Sequence, residues 1–459
     1  MVYYSVLFIS FFLIIFFIRF YRSVFYAVAE HSVSTVNELI ADNDDETKIK
    51  LVQKSTGKLV FSLAKMFFVI FISFAIGSIP VVLYCLISHT GYHDLVFGSF
   101  YSILSISLGA TVPFFIPIIK KNSSGYSELS QLLHRMALDN YNIANKLFRR
   151  ESRKITRKKL EKRPDFVIIS GLARAGTTSL MNDLSKIGDF VSLSYANMPF
   201  LMAPNIWAKI YKPKNKKLKE RSHKDGIMIG LNSNEALEEY FFKVKAHDSY
   251  IKDFNLSEYT LSREDYMDYL DYQSIIKLDN SKIYLAKNNN FILRYKSVRK
   301  FNDEFLMVIL YRDPLTHAAS LLEKHLDYQT LQREDPFVLE YMNWLGHHEF
   351  GLNQKPFVFG NPEENIDDEK ESMDYWLKNW INYYSYVLTI HHPNTILINY
   401  EMYCDNPKET IETILKKTGI TTDLPEYESF HNTRKPDREF SNELYEQAMK
   451  IFRQLPTAR

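Results

Sequence analysis

Cysteine is nearly absent: Cys85, inside an apolar run, and Cys404 are the only two in 459 residues. That argues against a disulfide framework, and nothing in the chain calls for an oxidising compartment. Net charge is equally scarce, since 56 Lys and Arg against 54 Asp and Glu leave +2. The balance therefore implies no electrostatic partner, and nucleic acid is not expected. No group of Cys and His has the spacing of metal ligands, so no metal is expected either.

Charge is also missing locally, and there the absence is informative. Tyr3 to Ile18, Met66 to Ser88 and Leu95 to Ile119 contain no Asp, Glu, Lys or Arg. The second and third are long enough to cross a hydrocarbon core of about 30 Å. Their prolines, Pro80, Pro113 and Pro117, are tolerated in bilayer helices. The first stretch is followed, not preceded, by Arg19 and Arg22, which reads as an uncleaved anchor and not as a secretory signal. Orientation follows from the cations. Arg19, Arg22, Lys48, Lys50, Lys54, Lys58 and Lys65 lie between the first two stretches, His89 to Asp94 has none, and Lys120 and Lys121 follow the third. The expectation is a multi-pass membrane protein with spans at 3–18, 66–88 and 95–119, and with everything after residue 120 in the cytoplasm.

After this all-α transmembrane region (1–120) comes a helical connector, 121–163, whose second half is densely basic from Arg149 to Arg163. It is suited either to anionic head groups or to plain solvation. A regular alternation occupies 164–459. "DFVIIS" from Asp165 reads as a buried parallel strand, and Leu180, Met181, Leu184 and Ile187 have helical spacing, ended by Gly188. "FLMVILYRDP" repeats the plan, with a helix opening after Pro314, and "TILINYEMY" precedes a helix around Lys408 to Lys417. The fold class expected is α/β, with a doubly wound, mostly parallel sheet.

The turn after the first strand runs G-L-A-R-A-G-T-T from Gly171 to Thr178. It has the glycines and closing threonine of the G-x-x-x-x-G-K-[ST] phosphate loop, but Thr177 stands where the lysine should be. The glycines permit a backbone nest and the following helix presents amide hydrogens, so Ala175, Gly176, Thr177, Thr178 and Ser179 form an anion site in which Arg174 supplies the cation. The missing lysine serves the β and γ phosphates of ATP. Its absence suits a nucleotide with a single 5′-phosphate and one attached group.

These residues resemble the 5′-phosphosulfate loop of sulfotransferases that use 3′-phosphoadenosine 5′-phosphosulfate (PAPS), whose pattern is P-[KR]-S-G-T-T; Ala173 and Ala175 depart from its proline and serine. The resemblance implies a second signature for the 3′-phosphate, an arginine ending a strand and a serine eight residues later, which Arg312 and Ser320 supply. It further implies that Lys287, in "YLAKNNNF", stabilises charge on the transferred group, and that Arg434 and Lys435 lie in a basic loop closing on the 3′-phosphate. The expected reaction moves a sulfuryl group from PAPS to a hydroxyl or amine of a small-molecule, glycan or lipid-linked acceptor at the bilayer, leaving PAP and requiring no metal. The acceptor's proton needs a base. In "NSNEALEEYFF" the candidates are Glu238 and Glu235, ahead of Glu239, with His223 as a weaker rival. The other readings are a P-loop kinase or NTPase with an altered loop, which would leave Arg312 and Ser320 without a task, and a non-catalytic membrane tether that binds nucleotide.

Overall fold

Long uncharged sequence folds as helix, because only a helix satisfies its own backbone within one segment. The computed structural model describes residues 1–40, 45–116, 127–157, 162, 165–212, 219–220, 228–229, 236–360, 369–427, 429 and 438–456. The chain forms two compact units, Met1–Asn142 and Ile143–Arg459.

In the first unit, α1 (Val2–Phe20), α2 (Arg22–Ile40), α3 (Asp45–Ser88), α4 (Phe100–Thr111) and α5 (Glu128–Leu138) follow one another. α1 packs against both α3 and α4. Gly109 of α4 meets the backbone of α1 so closely that a Cβ there would overlap the Phe8 carbonyl. Arg19, at the end of α1, donates from Nη1 to the Ile116 carbonyl at 2.7 Å and to that of Pro113, so it caps carbonyls at the end of a neighbouring helical element. Phe67, Phe68, Phe71 and Phe74 on α3 are exposed. Val2–Phe20 and Glu46–Ser88 are long and apolar enough to cross a membrane, while Phe100–Phe115 is apolar but shorter.

The third expected span, 95–119, is thus only partly helical. Ser99 caps α4 by accepting from the Ser102 amide, and Pro113 lies in a 3-10 turn, Val112–Phe115, that ends the element. At 1.5 Å per residue, such a helix covers about 24 Å, less than a full hydrocarbon core. Residues 117–119 lie outside the described residues.

α6 (Tyr141–Arg157), whose basic sequence was assigned above to the connector, packs in the second unit. Phe148 and Ile155 are buried, Arg149 pairs with Asp268 at 2.6 Å, and Ser152 donates to Asp271 at 2.7 Å. Beyond it the order is β1 (Phe166–Gly171), α7 (Thr177–Leu184), β2 (Phe190–Val191), α8 (Pro204–Ile210), β3 (Lys219–Glu220), β4 (Met228–Ile229), α9 (Glu239–Ala246), β5 (Leu256–Ser257), α10 (Arg263–Lys277) and β6 (Ile283–Lys287). Then come α11 (Tyr295–Phe301), β7 (Leu306–Tyr311), α12 (Pro314–Glu334), α13 (Pro336–Trp344), β8 (Phe357–Val358), α14 (Met373–Val387), β9 (Thr395–Asn399), α15 (Tyr400–Asp405), α16 (Pro407–Thr418) and α17 (Asn442–Gln454).

The main sheet has five strands in the order β2-β6-β1-β7-β9, and every pairing in it is parallel. All six residues of β1 and of β7 are buried, as apolar strands covered on both faces must be. On one face Val167, Ile169, Val308 and Leu310 pack with Leu180, Met181 and Leu184 of α7 and with Ile411 and Ile414 of α16. On the other, Phe166 stacks on Phe305 at 4.8 Å and meets Tyr269 of α10 edge-on at 5.4 Å. Each fully buried Ile, Leu or Val contributes roughly 1.5–3 kcal/mol, so this sheet anchors the unit. The last strand is shorter than "TILINYEMY" suggests, because the Asn399 side chain accepts from the Met402 amide at 2.9 Å and starts α15.

Candidate active site

Parallel strands deliver their carboxyl ends to one edge, where the connecting loops can converge. β1 ends at Gly171, and a tight turn joins it to α7, with the Ala175 amide donating to the Leu172 carbonyl at 3.1 Å. Two residues of this turn are left-handed, Arg174 at φ 69° and Gly176 at φ 95°. Gly176 is the N-cap of α7 and has no side chain to cap its first-turn amides; these belong to Thr177, Thr178 and Ser179. Such uncapped amides at a helix start attract an anion. Ala175 is fully buried and Thr177 nearly so, so what this turn offers a ligand is backbone and Arg174.

A Cβ at Gly176 would overlap the ring of Tyr400. Gly176→Ala is therefore expected to lower the melting temperature, because the left-handed backbone alone costs an L-residue about 1–2 kcal/mol before the ring is displaced. Thermal unfolding checks this, and an unchanged midpoint would contradict it.

β7 hands the chain directly to the second group. Asp313 caps α12 by accepting from the Thr316 amide at 2.9 Å, which fixes Arg312 at the strand end and Ser320 on the second turn. Both are buried. Arg174 donates from Nε to Ser320 Oγ at 3.3 Å, and Arg312 donates from Nη1 to the Arg174 carbonyl at 3.4 Å. Residues that lie 146 positions apart, Arg174 and Ser320, thus meet at one edge of the sheet. Burial lowers the Arg312 pKa from its ordinary value; Tyr400 and Glu401 oppose that shift, and Arg174 reinforces it. Among the described residues Arg312 Nε has no hydrogen-bond partner, and it faces the Glu401 carboxylate at 3.9 Å. Two guanidiniums brought to one edge of the sheet make that edge favourable to anions.

Tyr400 and Glu401 were missed in the sequence, where the third strand-helix passes for structure only. Tyr400 lies under Arg312, 4.9 Å from guanidinium carbon to ring centroid, and Glu401 accepts from the Asp313 amide at 3.2 Å. The available signal was position: both follow a third parallel strand at the same edge.

Lys287 ends β6 in register with Ile169 of β1, and the next residue, Asn288, donates its amide to the Ile169 carbonyl at 2.9 Å. Asn288 Nδ2 donates to Glu238 at 2.9 Å, and the Tyr269 hydroxyl donates to the other carboxylate oxygen. Glu238 is only 2 % exposed. Burial raises its pKa, and the hydrogen bonds from Tyr269, Asn288 and Tyr284 only partly offset the shift. Glu239 has a different environment. Arg294, fully buried, grips it in a fork at 2.6 and 2.7 Å, and Tyr250 donates to it as well, so it is committed to a structural ion pair. Glu235, His223, Arg434 and Lys435 lie outside the described residues. Among the described residues no group of three or more His, Cys, Asp or Glu could hold a metal ion.

No protein-family model matches the sequence, and no curated protein matches it. Among solved structures, the chain is similar to a sulfotransferase of Mycobacterium tuberculosis at 12% identity and a TM-score of 0.37, over 71% of this chain and 80% of that one. A sulfotransferase of Mycobacterium avium matches at 11% identity and a TM-score of 0.35, over 74% and 85%. The sulfotransferase domain from the curacin biosynthetic pathway matches at 12% identity and a TM-score of 0.32, over 64% and 100%.

Proposed function

We propose that this chain is a PAPS-dependent sulfotransferase, anchored in a bilayer, whose second unit works on the cytoplasmic side. The observation that carries the reading is the convergence of Arg174, Arg312 and Ser320 on one another at the carboxyl ends of β1 and β7. A kinase loop needs its own lysine at the position of Thr177 and has no use for a second buried arginine eight residues before a buried serine. The Arg312 Nε–H, which has no hydrogen-bond partner among the described residues, and the uncapped amides at the start of α7 are separate donors to anions, which fits a donor with two separated anionic groups.

When bound, PAPS supplies a sulfuryl group already attached to a good leaving group. The chain's part is to bind and orient. The first-turn amides of α7, with Arg174 and the Thr178 hydroxyl, hold the 5′ end, while Arg312 and Ser320 hold the 3′-phosphate. Lys287 offsets charge on the bridging oxygen. Glu238 takes the acceptor's proton, and the burial that raises its pKa moves it toward the range where a base works near neutrality. The acceptor is a hydroxyl or amine on a glycan or lipid-linked molecule, a class suggested by the apolar helices of the first unit.

The test is to incubate the full chain with radiolabelled PAPS and a membrane extract. Label should pass to an extract component. Failure to label anything in repeated extracts would count against transfer, and displacement of PAP by ATP with magnesium would overturn the donor assignment.

A further inference from the structure

His317 lies five residues after Arg312 and three before Ser320, and it has no place in the function proposed so far. Three residues on a helix are nearly one turn, so His317 and Ser320 point from α12 toward the same side. The His317 ring is completely buried. Its Nε2 lies 2.7 Å from the carbonyl oxygen of Ala173, and its Nδ1 has no hydrogen-bond partner among the described residues. A carbonyl can only accept, so Nε2 carries the proton and the tautomer is fixed by the contact. Burial first, and Arg312 and Arg174 beside it, push the pKa of this imidazole down to about 3. The ring is therefore neutral at any working pH, with one N–H directed at one carbonyl.

That carbonyl is well placed to matter. Arg174, the next residue, has the left-handed φ of 69°, a conformation that persists in a non-glycine residue only where its surroundings enforce it. Arg312 holds the carbonyl of Arg174 at 3.4 Å, and Ser320 accepts from the Arg174 side chain at 3.3 Å. With His317 on the Ala173 carbonyl, both peptide groups flanking the Arg174 Cα are held by the segment 312–320. Ala173 itself brings no side chain that could fix the turn.

We infer that His317 is a positioning residue: its Nε2–H, by holding the Ala173 carbonyl, sets the turn that aims Arg174 and the first-turn amides of α7 at the donor. The inference rests on the donor reading above. It makes donor affinity depend on a side chain that need not touch the donor, and it makes the second binding segment the mould for the first.

The test uses PAP titration calorimetry on the full chain, with kcat and donor KM measured in parallel. His317→Gln carries an amide N–H to about the place of Nε2, whereas His317→Asn places it near Nδ1, out of reach of Ala173, and His317→Leu has none. PAP binding should weaken about tenfold in the Asn and Leu variants and stay within about twofold in the Gln variant. Donor KM should change more than kcat at saturating donor. A purely structural histidine would lower the melting temperature of the ligand-free protein without separating Gln from Asn in affinity. Equal PAP affinity in the Gln and Asn variants overturns the inference, even where the Leu variant does not fold. If the wild type binds no PAP at all, it is the donor reading that falls.

Discussion

Arg312→Ala should weaken PAP binding by about 10²–10³-fold, with the fold intact. A guanidinium grips a phosphate through two parallel charge-assisted bonds, each worth about 1.5–3 kcal/mol when water is excluded, and Arg312 is buried to 6 % exposure. Its removal also frees the Arg174 carbonyl, so the loss extends to the first loop. Stability should change little, because the carboxylate left behind, Glu401, already has its pKa raised by burial and can take up a proton instead of remaining an unpaired charge. Arg312→Lys should recover only part of the affinity, since an ammonium supplies the charge without the fork. Calorimetry with PAP, and with ATP as the comparison ligand, measures both variants. Wild-type affinity in Arg312→Ala would remove the central support for the donor assignment.

The two binding motifs could be read from sequence because each is local: a β-branched strand, a short loop and a helix opening, in which the strand end fixes where the side chain goes. Arg174, Arg312 and Ser320 are brought together on that basis. Tyr400 and Glu401 also follow a strand, but no anion-binding residue type marks them, and their contacts with Arg312 come from β9 lying beside β7. The sequence ranked Glu238 ahead of Glu239 with no contact to support the order. They are adjacent at the start of α9, and what separates them comes from distant chain: Arg294 takes Glu239, whereas Asn288 and Tyr269 surround Glu238. His317 was invisible for the same reason, its partner lying 144 residues earlier. In the first unit, apolar composition gave the stretches but not their ends, which are set by side-chain caps such as Ser99 and by Arg19 reaching across to the end of a neighbouring helix.

Glu238→Gln should lower kcat by about 10²–10⁴-fold, the usual contribution of a general base, while leaving PAP affinity unchanged. The same substitution should leave the protein as stable as the wild type or more so at neutral pH. Burial raises the Glu238 pKa above its ordinary value, so the folded chain keeps this proton to a higher pH than the unfolded chain does. Between the two pKa values the native state binds more protons, and stability falls as pH rises through that interval. Glutamine stays neutral and preserves the carbonyl that accepts from Tyr269, so the melting temperatures of variant and wild type should diverge as pH is raised above the ordinary carboxylate value of about 4.3. Activity should move in the opposite sense, because only the ionised carboxylate can take the acceptor's proton: wild-type kcat should climb with pH up to the raised pKa, and the variant should lose that limb. A variant with wild-type kcat and an unaltered pH profile would exclude Glu238 as the base and turn attention to Glu235. A variant both inactive and less stable would make Glu238 a structural acid whose work is to hold Asn288, next to Lys287, at the end of β6. Rising stability with falling kcat is the outcome that separates a base held at a cost to the fold from a carboxylate that simply holds the fold together.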